Sequence, residues 1–206
     1  TLTTHNSKAD EINRIALAEL PGKTSSFNAI VEGEFQEKWF PADEVLHVKA
    51  GAQVMFLKND SEKNRRYYNG KIALVESVDE EKIRVSFKTG TETSYIDVKK
   101  ETWRNIQYKI DKRSNSVEEK ELGSFTQYPL KLAWAITIHK SQGLTFEKAI
   151  IDAGQAFAPG QVYVALSRCT SLEGIVLHSR ITEKSLTSDE QIVRFCLQQQ
   201  EKTDPE

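Results

Sequence analysis

The sequence predicts an α/β domain interrupted by a small antiparallel β-barrel. Three observations carry that expectation: strand and helix patterns alternate at the start of the chain, short alternating stretches crowd the region from about Tyr67 to Ile110, and the strand–helix pattern returns after Gly123. The expected division is one discontinuous α/β domain, 1–65 with 124–206, and an inserted domain, 66–123.

Taken in order, Thr1 to Thr4 reads as a strand. The chain opens there with no initiator Met, which points to a fragment of a longer polypeptide. Ser7-Lys8-Ala9-Asp10 offers a capping-box-like start in which a hydroxyl and a carboxylate meet free backbone N–H groups. Ala9, Ile12, Ala16 and Leu20 then recur at helical spacing until Pro21-Gly22 ends the helix. Phe27 to Phe35 reads only weakly, as an extended segment or hairpin. Gln53 to Leu57 is a short apolar run bounded by Gly51 and Asn59-Asp60, hence a buried strand.

Lys71 to Val75, Ile83-Val85-Phe87, Tyr95 to Val98 and Ile106-Tyr108-Ile110 are the barrel strands, punctuated by Asn69-Gly70, Asp79-Glu80 and Thr89-Gly90-Thr91. Asp111 to Glu121, apolar only at Val117, reads as an exposed loop. A strand ending near Trp134 follows, then a short helix over Ile136 to Gln142 and a strand from Ala149 to Asp152. Pro159-Gly160 opens a helix through Ser167, Ile175 to His178 is a strand, and Ser188-Asp189-Glu190 caps a last helix carrying Ile192, Val193, Cys196 and Leu197.

Composition narrows the class. The 206 residues are 38% hydrophobic and 28% charged, and no apolar run approaches the roughly 18 residues that would span a bilayer. No membrane partner is expected. A formal net charge of -2 argues against holding nucleic acid by bulk positive charge, so any such contact is local. Cys169 and Cys196 lack a Cys-x-x-Cys spacing or nearby ligands, and are expected to be reduced thiols of a cytosolic protein with no metal site.

Two stretches carry chemistry. In Thr137-Ile138-His139-Lys140-Ser141-Gln142-Gly143-Leu144-Thr145-Phe146 the Thr, His, Lys and Ser side chains offer donors to a phosphate backbone, and the glycine permits a sharp exit. A polar helix end with a glycine cap would read the same way. In Gly160-Gln161-Val162-Tyr163-Val164-Ala165-Leu166-Ser167-Arg168-Cys169 the apolar residues share one helical face and Arg168 stands at the helix end. It is either a surface ion-pair or macrodipole partner, or a cation reaching beyond the domain. Trp39, Trp103 and Trp134 could each stack on a base, with Trp134 more at home in the core; Tyr163 and Phe157 read as packing.

In this order and at this distance the two stretches resemble motifs V and VI of superfamily-1 DNA helicases. Tyr128-Pro129-Leu130 to Gly143, Pro159 to Leu177 and Ser171-Leu172-Glu173-Gly174 are similar to the bacterial Pif-type, RecD-like branch. Leu2-Thr3-Thr4-His5-Asn6, Asp10-Glu11-Ile12-Asn13, Gly51-Ala52-Gln53-Val54-Met55 and Asn69-Gly70 extend the likeness over nearly the whole chain. Thr145 stands where many wider relatives carry a glutamate, which suits the Pif-type branch.

The resemblance implies a second RecA-like motor domain carrying an inserted barrel similar to Src-homology-3 folds. The full-length protein would be an ATP-dependent DNA helicase of the bacterial cytoplasm and nucleoid, serving DNA repair and recombination and moving 5′ to 3′ on single-stranded DNA toward duplex junctions. ATP and Mg²⁺ would be bound mainly by a missing N-terminal motor domain. No Gly-x-x-x-x-Gly-Lys-Ser/Thr loop occurs here; Gly22-Lys23-Thr24 lacks the first glycine and follows a helix. This fragment alone is therefore expected to be inactive. The same resemblance implies Arg168 as arginine finger, Gln142 and Gly143 on the nucleotide side, and Thr137, His139, Lys140, Ser141, Thr4, His5, Asn6 and Trp103 as DNA contacts. The rival expectation is a non-catalytic nucleic-acid-binding or protein-docking module with remnant motor motifs.

Overall fold

A computed structural model describes residues 1–60, 66–89, 92–111, 116–186 and 188–203. In chain order these form β1 (Leu2–Thr3), α1 (Asn6–Glu19), β2 (Ser25–Asn28), β3 (Ile30–Gly33), β4 (Val45–Val48), β5 (Gln53–Phe56), β6 (Ile72–Val78), β7 (Ile83–Thr89), β8 (Glu92–Val98), β9 (Glu101–Asp111), β10 (Ser116–Gln127), β11 (Leu130–Leu132), β12 (Ile136–Thr137), β13 (Ala149–Asp152), α2 (Gln161–Leu166), β14 (Ile175–Leu177) and α3 (Glu190–Thr203). The fold is mixed α/β with a parallel sheet. The chain divides into two compact units, the first from Thr1–Arg14 with Trp134–Glu206 and the second from Ile15–Ala133.

The first unit is built on a four-stranded parallel sheet, order β12-β1-β13-β14. Leu2, Ile136 and Ile151 fill its core, and the start of α1 adds Ala9. Asn13 is also buried, and its side-chain amide acts as a strand: Nδ2–H donates to the Ala135 carbonyl (2.8 Å) while Oδ1 accepts the Ala135 N–H (2.9 Å). Both polar ends of a buried amide are thereby satisfied. Asp189 caps α3 by accepting the N–H groups of Gln191 (2.8 Å) and Ile192 (3.3 Å), within the expected Ser188-Asp189-Glu190 start.

The second unit holds a five-stranded antiparallel sheet, order β11-β5-β6-β7-β8, a three-stranded sheet, β3-β10-β9, and the pair β2-β4. The larger sheet takes in β5 and β11, which lie on either side of the 66–123 stretch. Val54, Phe56, Val75, Ile83 and Val85 are its core, with Phe56 stacked on Tyr67 at 3.9 Å. A second aromatic cluster joins Phe40 to Phe125 (4.6 Å), flanked by Phe35 and by Trp103. Among them Gln127 is fully buried; its amide donates to the Phe27, Asp43 and Glu44 carbonyls and accepts the Tyr128 N–H.

Several sequence expectations are corrected. Phe27 to Phe35 is extended, taking in the end of β2 and all of β3, but it is not a hairpin: β2 joins β4 and β3 joins β10. The described part of the expected loop Asp111 to Glu121 is strand, with β10 starting at Ser116 and pairing against β9; residues 112–115 of it, and the Gly90-Thr91 turn, lie outside the described residues. Ile136 to Gln142 is not a helix. Ile136 and Thr137 are β12, added to the parallel sheet, and only His139–Ser141 turns, as a 3₁₀ helix. Trp134 sits half-buried in a bend after β11, not in a strand. Helix α1 starts at Asn6, one residue ahead of the Ser7 signal.

Candidate functional site

The strand order of the first unit sets its geometry. In a parallel sheet all strands leave by the same edge, where ligands of open α/β sheets bind. Here β12, β1 and β13 are neighbours, so the residues following each emerge side by side: His139 after β12, His5 after β1, and the 153–160 loop after β13. The structure therefore brings together three sequence regions that share no motif.

His5 is exposed, and its Nδ1 lies 2.8 Å from the Thr4 hydroxyl. Its ring centre is 5.1 Å from that of Phe157, which in turn lies 6.2 Å from His139. Phe157, read from sequence as packing, is 63% exposed, and Tyr163, read the same way, is 75% exposed. Both readings are corrected. An exposed phenyl ring set between two imidazoles has the form of a base-stacking platform. Nothing in the local sequence around Phe157 distinguishes it; the signal is the strand order.

The remaining DNA candidates divide by exposure. His139, Lys140 and Asn6 are exposed. Ser141 is fully buried, its hydroxyl donating to the Ile138 carbonyl (2.7 Å), and Thr137 is buried with its Oγ1 facing the Lys140 N–H at 3.4 Å. Thr4 is buried too. These three hydroxyl side chains shape the turn and strand end from inside. Trp103 belongs to the second unit, half-buried on β9, with the Lys58 ammonium 5.3 Å above its ring and Phe125 tilted against it.

The other end of the same segment meets Arg168. Gly143 has φ +80, and a Cβ there would meet nothing within 4 Å, so the chain turns in open space beside the exposed Gln142. After the turn, the Leu144 carbonyl accepts a bond from Arg168 Nη1 at 3.3 Å. Arg168 is half-buried; its Nε–H donates to the Val164 carbonyl (3.0 Å) and Nη2 to the Ser167 hydroxyl (2.9 Å). Its backbone is tied to the same region, since the Arg168 carbonyl accepts the Phe146 N–H at 2.8 Å. Among the described residues all three partners are neutral, and no carboxylate is within ion-pair distance of the guanidinium. Three bonds leave two of its five N–H donors for another acceptor.

Beneath the loop lies Asp152, 7% exposed at its side chain, in an ion pair with Lys8 and accepting the Ser179 hydroxyl at 2.9 Å; the same hydroxyl accepts the Gly154 N–H at 2.8 Å. Burial pushes this carboxyl up, but the bonds from Lys8 and Ser179 outweigh it and hold the group below its ordinary range. Both cysteines are free, Cys169 half-buried with its thiol pushed up by burial. Among the described residues no three His, Cys, Asp or Glu side chains gather as a metal site, and no helix is long and apolar enough to cross a membrane.

Fold and motif arrangement together define a helicase domain, and a family model described as Helicase, of herpes type, matches residues 104–202. The ATP-dependent DNA helicase Pif1 of Campylobacter jejuni is 33% identical over 186 residues, covering 84% of this chain and 40% of that protein. Bacteroides Pif1 in complex with ADP-AlF₄ is 38% identical and superposes with a TM-score of 0.84 over 98% of this chain and 45% of that one. Bacteroides Pif1 bound to single-stranded DNA is 40% identical, with a TM-score of 0.75 over 94% and 43%. The chain belongs to the Pif1-type helicases, and it spans less than half the length of these relatives.

Proposed function

We propose that this chain is the C-terminal motor half of an ATP-dependent DNA helicase that travels on single-stranded DNA, 5′ to 3′, and opens duplex at junctions. The observation that carries the reading is the span of one short segment. Thr137 to Leu144 sets His139 near Phe157, which packs against His5, at one end, with the exposed Lys140 the next residue along, and at the other gives its Leu144 carbonyl to Arg168. A shift at either end is felt at the other through a turn fixed by buried Ser141.

In this reading the first unit is a RecA-like domain, the second carries the barrel-like insertion, and an N-terminal motor domain completes the nucleotide site. ATP, held mainly there with Mg²⁺, supplies the phosphoryl group transferred to water. This chain contributes Arg168, whose unopposed charge and two spare donors suit the charge developing on that group, and Gln142 and Gly143 lining the same side. His139, Lys140, His5 and Asn6 hold the strand's phosphates while Thr4, Thr137 and Ser141 shape the surface, and Phe157 stacks on a base. The complexes of Bacteroides Pif1 with ADP-AlF₄ and with single-stranded DNA support the two ligand classes. A cytoplasmic setting and a role in repair or recombination fit the same reading.

The test is Arg168→Ala in the full-length protein. DNA-stimulated ATP turnover is expected to fall by about 10³-fold or more, with single-strand affinity within twofold of the parent. A second reading, a non-catalytic module, draws on the three bonds Arg168 makes inside its own unit. Near-normal turnover in the variant would favour it and remove the finger assignment.

A further inference from the structure

We infer that Gln161 is a positioning residue for the DNA-stacking ring of Phe157, an inference that rests on the reading of that ring as part of the strand-binding surface. Gln161 opens α2 and is only 3% exposed. Its Oε1 accepts the backbone N–H of Phe157 at 3.1 Å and faces that of Ala158 at 3.5 Å. Two converging donors fix which end of the amide is oxygen. The Nε2 donor, buried in the same place, finds no acceptor among the described residues.

That combination is informative. A buried donor without a partner is costly, and such groups persist where something other than stability retains them. A methionine or leucine would fill the same space without the orphaned N–H. What the amide provides, and they would not, is an acceptor for the two N–H groups that set where the Phe157 backbone sits. The loop is anchored at its other end as well, by the Gly154 N–H on the Ser179 hydroxyl. Phe157 thus projects into solvent from a backbone held at both sides, which keeps an exposed ring pre-organised for stacking.

The same side chain links two functions. Gln161 stands at the first residue of α2 and Arg168 just beyond its last, with Arg168 Nε–H bonded to the Val164 carbonyl of that helix. Six residues of helix therefore join the loop that bears the stacking ring to the cation assigned to the nucleotide side.

A double-mutant cycle in the full-length protein tests the assignment, with affinity for a fluorescein-labelled oligothymidylate as readout. Gln161→Met is expected to weaken binding about three- to tenfold, the worth of one hydrogen bond. Phe157→Ala is expected to cost its full factor in the parent and in Gln161→Glu, which keeps an oxygen facing both amides, but less than twofold in Gln161→Met. A merely structural role gives additive losses, so an undiminished Phe157→Ala effect in Gln161→Met overturns the inference. If Gln161→Met does not melt cooperatively, hydrogen exchange at the Phe157 amide of the parent decides instead: protection in the free protein supports the inference and its absence overturns it. An unchanged affinity on Phe157→Ala in the parent would overturn the stacking reading itself, and this inference with it.

Discussion

Asp152 joins three parts of the first unit through one carboxylate: Lys8 of α1, Ser179 after β14, and through that hydroxyl the start of the Phe157 loop. Because its folded value lies below the ordinary 3.8, the ionised form is the one the fold favours. Its contribution is fully present above 3.8 and is lost as pH falls through the lowered folded value. Urea melts of the parent between pH 7 and pH 3 are expected to show stability declining at the acid end, and Asp152→Asn to be about 1–3 kcal/mol less stable at pH 7 with a flatter acid limb. Equal slopes in the two proteins would show that this carboxylate is not the group responsible. At this scale the sequence was uneven. Arg168, His139 and Lys140 could be proposed from the sequence because each lies within one contiguous motif. Phe157 was not, since its neighbours His5 and His139 lie far away in sequence and only the β12-β1-β13 order unites them. Ser141 looked like a donor to DNA because a hydroxyl's direction is not written in its position.

Among the elements, β10 is the clearest mismatch between pattern and structure. Residues 117–121 are all exposed and, among the described residues, pair only with β9. A two-stranded ribbon wet on both faces has no apolar side to alternate, so its charges read as a loop. Strands β6 to β8 were readable because the sheet buries one face, with Ala73 and Val75, Val85 and Phe87, and Ile96 and Val98 alternating inward. Further along β10 the register shifts between Glu121 and Gly123, and Gly123 lies directly against Gly33 of β3. A Cβ on Gly123 would come within 2.5 Å of the Glu32 carbonyl oxygen and 2.6 Å of the Glu34 nitrogen, both backbone atoms. Gly123→Ala is therefore expected to cost about 1–3 kcal/mol by separating β3 from β10, read from thermal melts. An unchanged melting temperature would mean that the ribbon yields without loss.

For the molecule as a whole, a net charge of -2 means that attraction to a polyanion depends on a few placed cations. Lys140 is the lysine among the candidate contacts. In the full-length protein, Lys140→Ala is expected to make the log–log dependence of single-strand affinity on salt shallower by about 0.7, one phosphate's worth; an unaltered slope would take this lysine out of the contact. The α/β class was foreseen from alternating strand and helix patterns, while the assignment of strands to sheets in the second unit was not, because long-range pairing such as β11 with β5 leaves no local trace.

The paired bonds between Asn13 and Ala135 have one more implication. They clasp the point where the chain departs the first unit to the point where it comes home, so everything from Ile15 to Ala133 is strung between two posts already tied together. Lengthening or trimming that excursion would leave β1 and β12 paired as they are, provided Asn13 stays as the stitch.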